Sequence, residues 1–263
     1  MPDKTQGKIF YRNDRSDIAL QLKGLNSEME KDLLPDERHL EQLLRAEFAH
    51  PDVRGAVQRY SQAYKELMSY YHCAMMAVET KFKILNEELS LEYDRNPIET
   101  VKTRLKSPES ILEKLRRRGL PVSAESIEEH ISDVAGVRVI CSYTSDIYKL
   151  VDSFSSQDDI RVVESKDYIK TPKQSGYRSL HLIVETPIYL HDDKKLMKVE
   201  VQFRTISMDF WASLEHKIRY KKNLPEDCSI EEELLACAEI SAALEQRMEQ
   251  IQKTVDFYQE QDQ

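Results

Sequence analysis

Lys198-Val199-Glu200-Val201-Gln202-Phe203 alternates polar and apolar residues without a break. That is the pattern of a β-strand keeping one face on a core and turning the other away. Working outward, Leu180–Thr186 alternates in the same way, and His191-Asp192-Asp193 reads as the tip of a hairpin joining the two. Val137–Tyr143 is alternating and β-branched, and Ile160–Glu164 is a shorter strand-like run. Asp146–Phe154 reads as a helix between those two. Another helix runs from Ile206 to Tyr220 and carries the only tryptophan, Trp211. The order helix, strand, helix, strand, strand, strand, helix predicts an α+β domain with a mixed, mostly antiparallel sheet of four to five strands.

Further upstream, Val57, Tyr60, Tyr64, Leu67, Tyr71, Met75, Val78, Phe82, Leu85 and Leu89 recur every three or four residues. They predict one long amphipathic helix, ended at Asn96-Pro97, whose aromatic stripe is packed core or a helix–helix seam rather than a stacking platform. A basic stretch with Lys102, Arg104 and Lys106 leads to a break at Ser107-Pro108. Short helices follow at Ser110–Arg118, stopped by Gly119, and at Ser123–Ile131. At the other end, Leu234, Cys237, Ser241, Leu244, Met248, Ile251, Val255 and Tyr258 predict a helix over 229–258. Its small and polar seam positions argue for packing against the 57–89 helix, in the same or another subunit, over a free coiled coil. The expected division is an N-terminal extension over 1–50, partly flexible, with short helices at Ser27–Glu30 and Asp36–Phe48; a catalytic domain over 51–225; and an oligomerisation helix over 226–263.

Composition excludes several function classes. In 263 residues, 40% are hydrophobic and 32% charged, a highly charged globular chain. No apolar run reaches the roughly 18 residues of a membrane span, and no signal peptide opens the chain. Cys73, Cys141, Cys228 and Cys237 form no CxxC pair, which argues against a disulfide framework or zinc ribbon and for a reducing cytoplasm. Six glycines, with no GxxxxGK[ST] and no GxGxxG, leave no backbone phosphate cradle. The net charge of −9 hides a split. Residues 102–222 hold 22 Lys/Arg against 18 Asp/Glu, or +4, and the flanks hold −13. A basic core between acidic flanks suits a phosphorylated small molecule in a pocket better than a long nucleic acid.

Two carboxylates stand out. Asp133 lies just before the Val137 strand, and Glu200 sits on the outward row of its own strand with Gln202 and Arg204 beside it. Such a pair is either solvated and ion-paired or a Mg²⁺ site for phosphoryl chemistry, since Mg²⁺ takes one or two carboxylates plus phosphate oxygens. Arg104, Lys106, Lys114, Arg138, Lys166, Lys170 and Lys173 surround them in sequence and could stabilise charge developing on phosphate. Arg116-Arg117-Arg118 reads as a solvated helix face. In the loop 167–181, Gly176 permits a tight turn that projects Tyr177, either to stack on a base or to anchor the loop. His181, His191 and His216 lack metal-ligand spacing, and His191-Asp192 is turn chemistry.

Together these residues resemble the RelA/SpoT-homologue alarmone synthetases, specifically the single-domain small alarmone synthetases. The resemblance lies in Val101–Lys114, Asp133–Ile140, Lys166–Ile169, Gly176–His181, Val199–Thr205 and Phe210–His216, six motifs in order. It implies a nucleotidyltransferase-like fold with long terminal helices and a Mg²⁺-dependent transfer of pyrophosphate from ATP to the 3′-hydroxyl of GDP or GTP. In that family's pattern Arg104 and Arg138 sandwich the adenine, and Lys106 and Lys114 hold ATP phosphates. Asp133 and Glu200 bind Mg²⁺, and Glu200 takes the hydroxyl proton. Tyr177 stacks on guanine, while Lys166, Lys173, His181 and Gln202 line the acceptor's phosphate and ribose. The resemblance also implies a synthetase without a hydrolase half and assembly as a homotetramer through the terminal helices. Allosteric (p)ppGpp stays open, because the loop Lys170-Thr171-Pro172-Lys173 is weakly basic. The first 50 residues extend beyond the family's usual short N-terminus. The main alternatives, a single-stranded RNA binder built on Tyr177 and the lysines or an inactive scaffold, need neither Asp133 nor Glu200.

Overall fold

The structure, a computed structural model, describes residues 53–93, 95–220 and 229–261. The expectations for 1–50, including the short helices there, and for Cys228 lie outside them. Helix α1 (Val53–Tyr93) is followed by β1 (Ile98–Leu105), α2 (Pro108–Arg117), α3 (Ala124–His130) and β2 (Ala135–Cys141). Then come α4 (Thr144–Ser155), β3 (Arg161–Asp167), β4 (Leu180–Tyr189), β5 (Lys194–Thr205), α5 (Ile206–Tyr220) and α6 (Ile230–Gln261). The five strands form one sheet in the order β1-β2-β5-β4-β3, antiparallel except for the parallel pair β2–β5. The expected α+β class and mixed sheet are therefore observed.

Alternation explains how the sheet divides its faces. Along β5, Met197, Val199, Val201 and Phe203 are buried, while Lys198, Glu200 and Gln202 between them are not. Along β2, Val137, Val139 and Cys141 are buried on the same side. Helix α1 covers that side with Leu67, Tyr71, Met75, Val78, Phe82, Leu85 and Leu89. Phe82 is fully buried, its ring 4.5 Å from Phe154 of α4 and 5.5 Å, edge-on, from Phe203. Truncating such a residue to alanine costs about 3–5 kcal/mol. Among the described side chains of the aromatic stripe, Tyr71 and Phe82 are core and Tyr64 packs against it, as expected. Arg95 pairs with buried Asp146 through both terminal nitrogens, at 2.9 and 2.7 Å, tying the end of the α1 connection to the start of α4. No helix among the described residues is long and apolar enough to cross a membrane.

Two expectations need correction. The stretch around Lys102 and Arg104 is not simply a basic connection; it is edge strand β1, paired residue for residue with β2 from Val101↔Val139 to Leu105↔Ala135. Its exposed lysine and arginine obscure an alternation that pairing with a strong neighbour completes. Within this chain the main partners of helix α6 are α5 and the loop before β4, in place of α1; packing on the 57–89 helix of another subunit stays a proposal. It docks through Leu234, Ala238, Ser241 and Glu245. The apolar residues Leu244, Met248, Ile251, Val255 and Tyr258 of the expected seam are exposed.

Candidate active site

The sheet face opposite α1 carries two rows of side chains. Strand register places Lys102, Arg138, Gln202, His181 and Lys166 side by side across all five strands. Two residues along, Arg104, Gly136, Glu200, Ile183 and Glu164 form the neighbouring row. Paired residues share a face, so the register alone gathers residues separated by a hundred positions. A cleft of about 450 Å³ lies over the β1–β2–β5 part, lined by Lys102, Arg104, Lys106, Asp133, Arg138, Glu200 and Gln202 among others.

Asp133 enters from the turn before β2, which Lys106 N–H secures by donating to Val134 O at 2.8 Å. Helix α2, capped by Ser107 with Pro108 at its start, brings Lys114 alongside. Lys106 Nζ lies 3.1 Å from Asp133 Oδ2 and Lys114 Nζ 2.8 Å from Oδ1. Burial pushes the Asp133 carboxyl up, but the two lysines outweigh it and hold it below its ordinary value. Oδ1 is buried and, that ion pair apart, has no aligned hydrogen-bond donor among the described residues.

Glu200 accepts from Gln202 Nε2 at 2.9 Å, and its Oε1 is 3.3 Å from His181 Nδ1. Burial again opposes ionisation, yet His181 and Gln202 leave this carboxyl below its ordinary value. Both carboxylates are thus ionised at neutral pH in one cleft rimmed by Arg and Lys. An oxygen-donor pair of that kind, with an unsaturated buried oxygen on Asp133, fits a hard cation such as Mg²⁺. Among the described residues no group of three or more His, Cys, Asp or Glu is arranged to hold a metal.

Tyr177 follows Gly176, which adopts φ 84°, and the structure shows the side chain held by its neighbours. Its hydroxyl is 2.9 Å from His181 Nε2 and accepts from Arg204 Nη2 at 2.9 Å, while its ring packs against the Trp211–Ala238 cluster. Lys173 Nζ lies 4.9 Å from the ring centroid and the Arg204 guanidinium 5.3 Å. The hydroxyl is anchored, and the ring lies within cation–π distance of two positive groups. Lys166 sits on edge strand β3, ion-paired with Glu164 at 2.8 Å. Lys170 turns to Asp167 and the Tyr148 ring, away from this cluster. Arg116, Arg117 and Arg118 are exposed, and His191-Asp192 is a solvent-facing tip, as expected.

Of the residues singled out from sequence, the cleft brings together Arg104, Lys106, Asp133, Arg138, Glu200 and Gln202, with Lys114 on Asp133 and His181 on Glu200. Lys166, Lys173 and Tyr177 line the flank toward β3. Arg204 and Asp209 escaped notice as site residues. Arg204 shares the parity of Glu200 and Gln202 on β5, and Asp209 is the single acid in the otherwise apolar and small run Ile206–Ala212; those were the available signals.

Residues 103–224 match the family described as "Region found in RelA / SpoT proteins". The GTP pyrophosphokinase YwaC of Bacillus subtilis strain 168 is 48% identical over 193 residues, 73% of this chain and 92% of that protein. The small alarmone synthetase 2 of Bacillus subtilis superposes with a TM-score of 0.66 at 47% identity, over 73% of this chain and 98% of that one. The small alarmone synthetase 1 of the same species, bound to its product pppGpp, does so with a TM-score of 0.66 at 35% identity, over 73% and 97%. With 48% identity across 92% of YwaC and a fold shared with both synthetase structures, the chain belongs to the RelA/SpoT family, among its small alarmone synthetases.

Proposed function

We propose that the chain is a GTP pyrophosphokinase. It moves the β,γ-pyrophosphate of ATP to the 3′-hydroxyl of GDP or GTP, releasing AMP and ppGpp or pppGpp, and it has no hydrolase activity. The observation that carries this reading is the pairing of Asp133 and Glu200, both held ionised, inside a cleft rimmed by Arg104, Lys106, Lys114 and Arg138. Arg104 and Arg138 flank the cleft on β1 and β2, where planar guanidinium groups can stack on the adenine. Lys106 and Lys114 neutralise Asp133 until ATP phosphates compete for them, and they then offset the negative charge of the migrating group. Mg²⁺, held by Asp133 and Glu200, would supply charge neutralisation at the phosphoryl oxygens. Glu200, oriented by Gln202 and His181, accepts the proton of the attacking hydroxyl. Tyr177 meets the guanine, with Lys166, Lys173, His181 and Gln202 around the acceptor's phosphates and ribose. The pppGpp bound to a relative supports the product class.

The test is to incubate the protein with ATP, Mg²⁺ and GDP or GTP and separate nucleotides by anion exchange. AMP appearing with guanosine tetra- or pentaphosphate is expected. ADP as the sole new adenine nucleotide would refute the reading, because it marks transfer of one phosphoryl group. We also propose a cytoplasmic homotetramer formed through the C-terminal helical segment. The exposed Ile240, Leu244, Met248 and Ile251 on α6, beside Ile206 and Phe210 of α5, support that reading. Light scattering giving a monomer mass at micromolar concentration would reject it.

A further inference from the structure

We propose that Asp209 is a positioning residue that registers the donor and acceptor subsites to each other through a single carboxylate. The inference rests on the assignment of Arg138 to the donor and Tyr177 to the acceptor given above. Asp209 stands in the first turn of α5 and is 8% exposed. Its Oδ1 accepts from Arg138 Nη1 at 3.2 Å and from Arg204 Nη1 at 3.0 Å, and its Oδ2 accepts from Lys102 Nζ at 3.1 Å. Arg138 and Lys102 belong to the donor side of the cleft. Arg204, 6% exposed, points the other way: its Nη2 donates to the Tyr177 hydroxyl at 2.9 Å. That hydroxyl meets His181, which in turn meets Glu200. A continuous polar chain thus runs from the adenine-side arginine through Asp209 to the acceptor tyrosine and on to the carboxylate that takes the hydroxyl proton.

The physical reason is charge. Arg138 and Arg204 repel, and the nearness of Arg204 together with burial draws the Arg138 guanidinium below its ordinary value. A carboxylate whose Oδ1 accepts from both allows them to lie close, so their relative placement is set by that shared oxygen, with Oδ2 held by Lys102. One carboxylate facing three cations leaves surplus positive charge in the cleft, where phosphates arrive. Reacting groups misplaced by even about 1 Å lose orders of magnitude in rate, so common registration of both subsites has direct kinetic value.

The test compares full-length wild type with Asp209→Asn, Asp209→Glu, Arg138→Lys and Arg204→Lys. It measures kcat, the KM of each nucleotide and the melting temperature, with calorimetric affinities for ATP and for GDP alongside. Asp209→Asn should raise the KM of ATP and of GDP together, each by about tenfold, the loss expected for hydrogen bonds to a charged group. Arg138→Lys should raise chiefly the ATP value and Arg204→Lys chiefly the GDP value. Asp209→Glu keeps the charge but shifts both guanidinium groups, so it should move both KM values in the same direction by less. If Asp209→Asn does not fold, this last variant decides. A purely structural Asp209 would lower melting temperature and active fraction with both KM values unchanged. That outcome, or a change in one KM only, overturns the proposal. Wild-type protein that makes no guanosine tetra- or pentaphosphate would instead defeat the functional reading. Asp209 is then judged by whether Asp209→Asn weakens both calorimetric affinities, and wild type binding neither nucleotide defeats both.

Discussion

Replacing Gly176 by alanine would test how the C-terminal helix and the acceptor loop are fitted together. At φ 84° an L-residue costs roughly 1–2 kcal/mol. The new methyl group would also stand 2.5 Å from Ala238 Cβ and 3.3 Å from Leu235 Cδ1 on α6. Carbon atoms rest at about 3.5–4.0 Å, so loop and helix must part by roughly 1 Å. Overpacking of this kind costs about 1–3 kcal/mol, which brings the total to about 2–5 kcal/mol. At about 2–4 °C per kcal/mol for a domain of this size, the melting temperature should fall by on the order of 10 °C. The two contributions can be separated. Ala238→Gly removes the nearest contact at its own helical cost of about 1 kcal/mol. Adding Gly176→Ala to that background should then lose only the backbone part. Urea unfolding of the four proteins should show a coupling of about 1–3 kcal/mol. Strict additivity, or an alanine variant as stable as wild type, would refute the close approach of loop and helix. Because Tyr177 is the next residue, the single variant should also raise the acceptor KM.

Three further outcomes are expected. Glu200→Gln should lower kcat by about 10²–10⁴-fold, the range for removing a general base, with the fold retained at neutral pH by circular dichroism; retained turnover would remove Glu200 from its role. Tyr177→Ala should raise the acceptor KM by roughly 5- to 150-fold, as for the loss of about 1–3 kcal/mol of stacking, and leave the ATP value alone. An equal rise for ATP would contradict the assignment. Asp133, Glu200 and Asp209 are all held below their ordinary carboxylate values, so the unfolded chain binds more protons at these groups than the folded one. Their contribution to stability is complete above the ordinary carboxylate range of about pH 4 and is lost as pH falls through the lower folded values. Melting temperatures measured from pH 6 to 2.5 should fall on the acid side and fall less steeply in Asp209→Asn. A rise on acidification would reverse the argument.

Sequence carries the chemistry of this site better than its scaffolding. Period-two alternation reveals β5, β4 and β2, and their parity already turns Glu200, Gln202, His181 and Arg138 away from the core. Strand β1 is hidden because an edge strand takes its order from its partner, so Lys102 and Arg104 read as a charged connection. For α6, spacing of three and four fits more than one face of the same helix. The choice rests on Glu245, which accepts from Thr205 Oγ1 at 2.8 Å and meets Arg178 at 3.3 Å. Those partners lie at a sequence distance over which periodicity says nothing. Asp209 is obscure for the same reason: its cations come from three strands, and only the register of β1, β2 and β5 assembles them.

Both borders of the sheet are strands, and both carry charged side chains: Lys102 and Arg104 on β1, and Lys166 beside Glu164 on β3. Charges on border strands keep sheets of separate molecules from joining edge to edge. These border cations, among them Arg104 and Lys166 for which a nucleotide-binding role is proposed, therefore also guard this protein against self-association into extended β-structure. Their removal has a colloidal cost apart from any catalytic one, and it would be greatest at neutral-for-cation replacements on β1, where the exposed run Lys102-Thr103-Arg104 would be left without charge.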